Sequence, residues 1–294
     1  MERRTDLAVE QRELLGEDIK GVDYSVEEHG RLTVERLRVT TERAARMLHK
    51  PQGTYITAEL PPLTDNVRDT DDRITALSQE IRRLLPVNGL VLVAGLGNID
   101  ITPDALGPKA ASKVLATRHI SGEIARSTGL DRLRAVAVMN TGVTGQTGIE
   151  TGELLLGIIQ RIRPTALIVI DALASRRLSR LGCTVQISDT GISPGAGVGN
   201  HRFRIDSDTM GIPVIAIGVP TVVDAVTLAF DLLEINNEKE GQELTHKVSP
   251  RGSTMVVTPK EVDLLVQRAA HLISLSVNFA LHADIDTDDL LNLL

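Results

Sequence analysis

Short runs of aliphatic residues alternate with longer segments of helical periodicity through the middle of the chain. The runs at residues 90–94, 133–139, 166–170 and 213–217 have the length of buried strands, and residues 183–187 form a further candidate. Loops and helical patterns separate most of these runs. Near-continuous aliphatic strands separated by helices indicate a parallel sheet covered on both faces. The prediction is a single α/β domain with a mostly parallel central sheet and helices on both faces.

The segments that flank this alternation are less regular. Residues 1–30 are polar with three spaced glycines, so no regular element is expected there. Alternating patterns at 32–39 and 54–60 predict strands of a small N-terminal β extension; a separate β subdomain over residues 1–60 is the alternative. Residues 234–253 are polar and are expected to form an excursion over the surface.

Apolar spacings of three and four predict helices, and capping residues predict where they begin and end. The predicted helices cover residues 70–84, 104–117, 151–163 and 222–233. The C-terminal helix has the clearest start, with Thr258 as its N-cap, Pro259 at its first position and Glu261 completing a capping box.

Composition and charge narrow the class of protein. The 294 residues are 42% hydrophobic and 24% charged, as in a globular enzyme. With a net charge of −7, no basic stripe and few aromatic residues, direct nucleic-acid binding is not expected. Cys183 is the only cysteine, which fits a reducing compartment. The chain shows no secretory signal, and no stretch approaches a membrane span. A cytoplasmic protein without a membrane partner is therefore expected.

Three glycine-containing loops follow the predicted strands, at the edge where α/β proteins bind ligands. The first contains Gly95 and Gly97, but Asp100 stands where a dinucleotide fingerprint needs its third glycine, and its carboxylate would repel a pyrophosphate. Backbone N–H groups of the loops could bind a substrate carbonyl or oxyanion, or the loops form only tight turns. The candidate residues are Gly97, Asn98, Gly145, Thr147, Gly197 and Gly199.

Two carboxylates stand at the ends of predicted strands. Asp104 in the first turn of a helix would complement the helix dipole, and Asp171 after its strand would cap a helix. If strands 90–94 and 166–170 are neighbours, as a 2-1-3 strand order requires, the two side chains meet across the switch point. Such a pair shares a proton, so one member can activate water while the other protonates a leaving amine. This chemistry would hydrolyse a peptide bond without a serine or thiol nucleophile.

Other catalytic chemistries have weaker support in the sequence. Cys183 is better explained as a small buried hydrophobic residue than as a nucleophile. The chain has no G-x-S-x-G motif, and its seven histidines form neither H-E-x-x-H nor a pair at metal-ligand spacing. No metal and no cofactor are expected.

Several long motifs occur in one order along nearly the whole chain. They are RTDLAVE at 4–10, GLGN at 95–98, TPDALGP at 102–108, GQTGIET at 145–151, DALASR at 171–176 and SPGAGVGN at 193–200. In these motifs the sequence resembles the germination protease family of spore-forming bacteria. The resemblance implies a fold like that of hydrogenase-maturation peptidases and an atypical aspartic-type endopeptidase activity. It also implies a homotetramer, made as a zymogen, that degrades small acid-soluble spore proteins in the spore core during germination.

The resemblance also assigns residues. The two catalytic aspartates of the family fall on Asp104 and Asp171, and no metal is carried over because this sequence has no matching histidine. Residues 5–10 resemble the family's cleavage sequence, so the zymogen would cut itself between Asp6 and Leu7. Residues 1–6 would then be the pro-segment and residues 7–294 the peptidase domain.

Two alternatives remain open at this stage. One is a metal-dependent maturation-type peptidase on the same fold. The other is a non-catalytic module that uses the glycine loops to bind a nucleotide or a protein.

Overall fold

The structure is a computed structural model, and it describes residues 4–16, 19–63, 72–120, 126, 130–195, 203–233, 244–248 and 255–293. Its strands are β1 (Val22–His29), β2 (Leu32–Val39), β3 (Gly53–Glu59), β4 (Val91–Leu96), β5 (Val136–Gly142), β6 (Ala166–Ser175), β7 (Thr184–Ser188), β8 (Val214–Asp224) and β9 (Val256–Val257). Its α-helices are α1 (Ala8–Leu15), α2 (Glu42–Leu48), α3 (Asp72–Leu84), α4 (Leu106–Ala111), α5 (Thr144–Thr147), α6 (Thr151–Ile162), α7 (Ser207–Met210), α8 (Ala225–Leu232), α9 (residues 244–248), α10 (Val262–Leu281) and α11 (Thr287–Leu293).

The centre of the sheet is parallel. β4 pairs in parallel with β5 on one side and β6 on the other, and β6 pairs in parallel with β8. β4 and β8 are buried almost throughout, which is why their sequences are aliphatic rather than alternating. After β4 the chain forms β5 along one edge of β4 and then β6 along the other edge. The strand order therefore reverses between β4 and β6, and this place is the switch point of the sheet. The predicted α/β class and the 2-1-3 order are confirmed.

An antiparallel arm extends the same sheet. Its strands follow β8 in the order β7, β3, β2 and β1, each antiparallel to its neighbour. β2 buries Leu32 and Val34 on one face, in the larger hydrophobic cluster, and Leu37 and Val39 on the other, in a small cluster with α1 and α2. The predicted N-terminal β extension is this antiparallel arm, and the candidate strand at 183–187 is β7, which joins the arm to the parallel centre.

Two hydrophobic clusters cover the two faces of the sheet. The larger one packs α3, α4 and α10 on one face, and the smaller one packs α6 on the other. α10 is long and apolar enough to cross a membrane, contrary to the expectation that no stretch approaches such a span. However, 72% of its apolar window is buried inside the protein, so α10 is the core helix of this face.

Several predictions of local structure were wrong. The polar residues before position 30 form α1, whose first turn is buried against the rest of the protein, and β1, which is mostly exposed and is held by its pairing with β2. Thr258 does not cap α10; its hydroxyl donates to the carbonyl of Thr221, and the helix begins at Val262. The helix predicted at 104–117 is confined to α4. Of the predicted polar excursion, the described residues 244–248 form a short, mostly exposed helix.

Candidate active site

Asp171 lies inside β6 rather than at its end. β6 pairs with β4 only as far as Ile170, whereas its pairing with β8 continues to Ser175. Asp171 therefore lies just beyond the last residue of β6 that pairs with β4, at the switch point, where the pairing between these two strands has ended. Asp171 is 5% exposed, and its Oδ1 accepts from the backbone N–H of Ala172 at 2.9 Å. Because no helix follows directly, the helix-cap explanation for Asp171 was wrong.

Asp104 is brought to the same place by a tight turn after β4. It ends the 3-10 turn Thr102–Asp104, and its Oδ2 accepts from the backbone N–H of Asn98 at 2.7 Å. The buried hydroxyl of Thr221 donates to the carbonyl of Pro103 at 2.7 Å, which ties the turn to β8. The Asp104 carboxylate is thus held by its own loop while remaining partly exposed.

Two glycines allow the turn to approach the strands closely. Gly97 has a φ of +106°, and a Cβ there would lie 2.2 Å from the carbonyl oxygen of Asp104. A Cβ on Gly107, in α4, would lie 2.2 Å from the carbonyl oxygen of Leu96 and 2.3 Å from that of Ile170. Since these neighbours are backbone atoms, only glycine permits this packing.

Asp104 and Asp171 line one cavity of about 260 Å³ at the switch point. The prediction that the two aspartates face a common site agrees with this geometry. The walls are formed by the ends of β4, β5, β6 and β8, by the loop after β7 and by the N-terminal segment. The lining residues are Asp6, Leu96, Gly97, Ile101, Pro103, Asp104, Gly142, Val143, Thr151, Asp171, Ala172, Leu173, Ala174, Pro194, Gly195, Thr221, Val222 and Val256.

Of the residues predicted to bind a substrate carbonyl or oxyanion, some line the cavity and others do not. Gly97 lines the cavity, whereas Asn98 holds the loop together, with its N–H on Asp104 and its Oδ1 accepting from Gln146 Nε2 at 2.8 Å. Gly145 and Thr147 belong to α5 and do not line the cavity; Gly142, Val143 and Thr151, on either side of α5, do. Gly197 and Gly199 lie outside the described residues, although Pro194 and Gly195 of the same loop line the cavity.

Of the two residues at the predicted self-cleavage site, Asp6 lines this cavity and Leu7 does not. The N–H of Asp6 donates to the carbonyl of Ala174 at 2.9 Å, and the Asp6 carboxylate accepts from the N–H of Ala174 at 2.8 Å. The segment is thus docked on β6 three residues beyond Asp171. Leu7 is completely buried in a small cluster with Val9 and Leu173.

Two polar side chains that the sequence reasoning missed converge on the carbonyl oxygen of Asp6. Lys50 Nζ donates to it at 2.8 Å and Gln186 Nε2 donates at 3.0 Å. Burial lowers the pKa of Lys50, and the negative charges of Asp6 and Glu10 oppose that shift. Lys50 follows α2 and Gln186 lies in β7. Neither belongs to a motif with a catalytic spacing, so only the three-dimensional arrangement reveals them.

No group of three or more His, Cys, Asp or Glu residues that could hold a metal ion occurs within the described residues. Cys183 is partly buried just before β7 and is not among the residues that line the cavity.

A cleft with two carboxylates at the switch point of an α/β sheet has the form of a hydrolase active site. Comparison with known proteins defines the class: the chain is a peptidase. The germination protease family matches residues 2–250 and 232–293, and the chain belongs to that family. The prediction from the motifs is confirmed, and the non-catalytic alternative is set aside.

Similar proteins include relatives that the chain covers almost completely. The germination protease of Caldanaerobacter subterraneus subsp. tengcongensis is 44% identical over 99% of this chain and 98% of its own. The germination protease of Priestia megaterium is 33% identical over 97% of this chain and 95% of its own. A solved structure, the NiFe hydrogenase maturation protease HycI from Thermococcus kodakarensis KOD1, covers 67% of this chain and 98% of its own at 17% identity and a TM-score of 0.37.

Proposed function

We propose that this protein is an endopeptidase of spore germination that hydrolyses peptide bonds with Asp104 and Asp171 as a general acid–base pair. The observation that carries the proposal is that two separate crossover units deliver these carboxylates to one cavity. Family membership supports the reaction class and the action during germination. The substrates are small acid-soluble spore proteins.

The mechanism follows from how two carboxylates behave in a confined space. A nearby like charge disfavours ionisation, so one member of the pair holds a proton and the other is ionised. The ionised carboxylate removes a proton from water as the water attacks the substrate carbonyl carbon. The protonated member then donates its proton to the leaving amine as the C–N bond breaks.

The protein is made as a zymogen that cuts its own chain between Asp6 and Leu7. The docking of Asp6 on β6 within the cavity that Asp104 and Asp171 line supports this step. Asp6 of the intact N-terminal segment forms part of the wall of that cavity, so the segment restricts access for other substrates until it is cut. The resemblance extends this proposal to a homotetramer in the cytoplasm of the spore core.

Replacement of either aspartate tests the proposed mechanism. Asp104→Asn and Asp171→Asn keep the shape of each side chain but remove its acid–base function, and we expect each to slow digestion of an acid-soluble spore protein at least about 10²-fold. Asp100→Asn is the matched control, because Asp100 lies in the same loop but is exposed and does not line the cavity. Activity at the wild-type level in either active-site variant would contradict the proposal.

The same assay distinguishes a metal-dependent peptidase from one that uses the carboxylate pair. Loss of activity with a chelator, restored by one divalent metal, would favour a metal-dependent peptidase over the carboxylate pair.

A further inference from the structure

Asp6 lines two cavities. The first is the cavity that holds Asp104 and Asp171. The second, of about 130 Å³, is lined by Lys50, Tyr55 and Gln186 among others. Asp6 and Leu173 line both cavities, so Asp6 forms part of the wall between the cavity of the two aspartates, the acidic side, and the cavity of Lys50 and Gln186, the donor side.

On the donor side, two N–H donors converge on one oxygen. Lys50 Nζ and Gln186 Nε2 lie 2.8 Å and 3.0 Å from the carbonyl oxygen of Asp6. Gln186 also accepts from the N–H of Ala8 through its Oε1 at 2.8 Å. A single side chain therefore spans both peptide groups that flank Leu7.

We propose that Lys50 and Gln186 form the oxyanion-binding site for cleavage of the Asp6–Leu7 bond, with the side-chain nitrogens of both residues as the donors. This inference rests on the self-processing proposed above. It adds Lys50, from the connection between α2 and β3, and Gln186, from β7, to a carboxylate pair that comes from the parallel centre of the sheet.

The chemistry assigns each proton and electron pair. Water oxygen bonds to the carbonyl carbon of Asp6 and loses a proton to the ionised carboxylate, while the C=O π electrons move to the carbonyl oxygen. That oxygen carries the negative charge that the Lys50 ammonium and the Gln186 amide stabilise. Collapse of the intermediate restores C=O and breaks the bond to the Leu7 nitrogen, which takes the proton of the second carboxyl group.

Lys50 and Gln186 are expected to stabilise the transition state of cleavage more than they stabilise the intact folded protein. A partly buried ammonium loses solvation, and a neutral carbonyl compensates for only part of that loss. A full negative charge on the same oxygen compensates for more of it, so the donors bind the intermediate more strongly than the intact peptide. Removal of one such donor in other hydrolases costs about 10²–10³-fold in rate.

The test measures self-cleavage in the full-length protein, by mass spectrometry of the product that begins at Leu7. Lys50→Met removes the ammonium and keeps the apolar stem. Gln186→Glu replaces the donor to Asp6 with an oxygen but keeps an acceptor for the N–H of Ala8, so it separates charge stabilisation from positioning. We expect each to slow cleavage about 10²-fold, and Lys50→Arg to retain more activity than Lys50→Met. The control Lys113→Met removes an exposed lysine from outside both cavities.

The outcomes distinguish this inference from the function on which it rests. Cleavage at the wild-type rate in Lys50→Met and Gln186→Glu, with Asp171→Asn inactive, would overturn the oxyanion site and leave the carboxylate mechanism standing. An intact Met1 in active wild-type protein would overturn self-processing and this inference together. If Lys50→Met does not fold, as judged by circular dichroism, Gln186→Glu decides, because a positioning role predicts that it retains the wild-type rate.

Discussion

Gly107 shows how one residue controls the geometry of the site. It lies in α4, against the carbonyl groups of Leu96 and Ile170, where β4 and β6 stop pairing. Both contacts are to backbone, so no rotation of a neighbouring side chain can make room for a Cβ. The absence of a side chain lets the segment that carries Asp104 approach the strand that carries Asp171.

We therefore expect Gly107→Ala to lower the free energy of unfolding by about 2 kcal/mol, as overpacking does, and to reduce protease activity by displacing Asp104. Gly157→Ala is the control, because Gly157 is helical and a Cβ there would meet nothing within 4 Å. That variant should be up to about 1 kcal/mol more stable than wild type. Urea unfolding of both variants measures the difference, and equal stabilities would refute the packing argument.

At the scale of elements, the sequence predicted the parts whose burial is continuous. The strands around 91–96 and 214–217 are covered on both faces, so their aliphatic runs are unambiguous. The far ends of β6 and β8 were missed because polar residues such as Asp171 and Thr221 interrupt their aliphatic runs. α1 was missed because its pattern is weak and the rest of the protein covers it.

Only the acidic part of the candidate site could be predicted from the sequence. Asp104 and Asp171 follow aliphatic strands, so strand order alone predicts that they approach one another. Lys50 and Gln186 come from elements far apart in sequence, and their relation depends on how the antiparallel arm joins β8 through β7. Periodicity carries no information about that junction, so the donor side of the site could not be predicted.

The C-terminal end of α10 has an unusual histidine. His282 is 2% exposed, and neither of its ring nitrogens has a hydrogen-bond partner among the described residues. Burial, helped by the positive charge of Arg134, lowers the pKa of His282 from 6.5 to about 4. The folded protein therefore favours the neutral ring, although a histidine at a helix C-terminus would ordinarily favour the charged form.

This lowered pKa predicts acid sensitivity. Between about pH 6.5 and pH 4 the unfolded chain binds a proton at His282 that the folded protein does not, so stability falls as the pH falls. From pH 7 to pH 5 we expect this residue to account for a loss of about 2 kcal/mol. His282→Leu should remove that part of the loss in urea unfolding at the two pH values, whereas replacement of the exposed His119 by Leu should not. An unchanged pH dependence in His282→Leu would contradict this assignment.

At the scale of the whole molecule, the N-terminal segment joins the two parts of the sheet. Its residues contact Ala174 in the parallel centre, and Lys50 and Gln186 in the antiparallel arm. The completely buried Glu10 anchors the segment, with its carboxylate accepting from the N–H groups of Arg176 and Arg177 at 2.7 Å and 3.0 Å. The position of the Asp6–Leu7 bond thus depends on how both parts of the sheet are held together.

Glu10→Gln should release this anchor, because an amide cannot satisfy both backbone donors and the nearby Arg180 guanidinium as a carboxylate does. We expect a loss of about 2 kcal/mol in unfolding free energy, protease cuts within residues 4–16 before the body of the protein is cut, and slower self-cleavage at Asp6–Leu7. Limited proteolysis with mass spectrometry measures the first cut, and Glu42→Gln, an exposed glutamate on α2, is the control. If Glu10→Gln cleaves itself at the wild-type rate while its N-terminal segment is protease-sensitive, the docked segment is not the conformation that is cut.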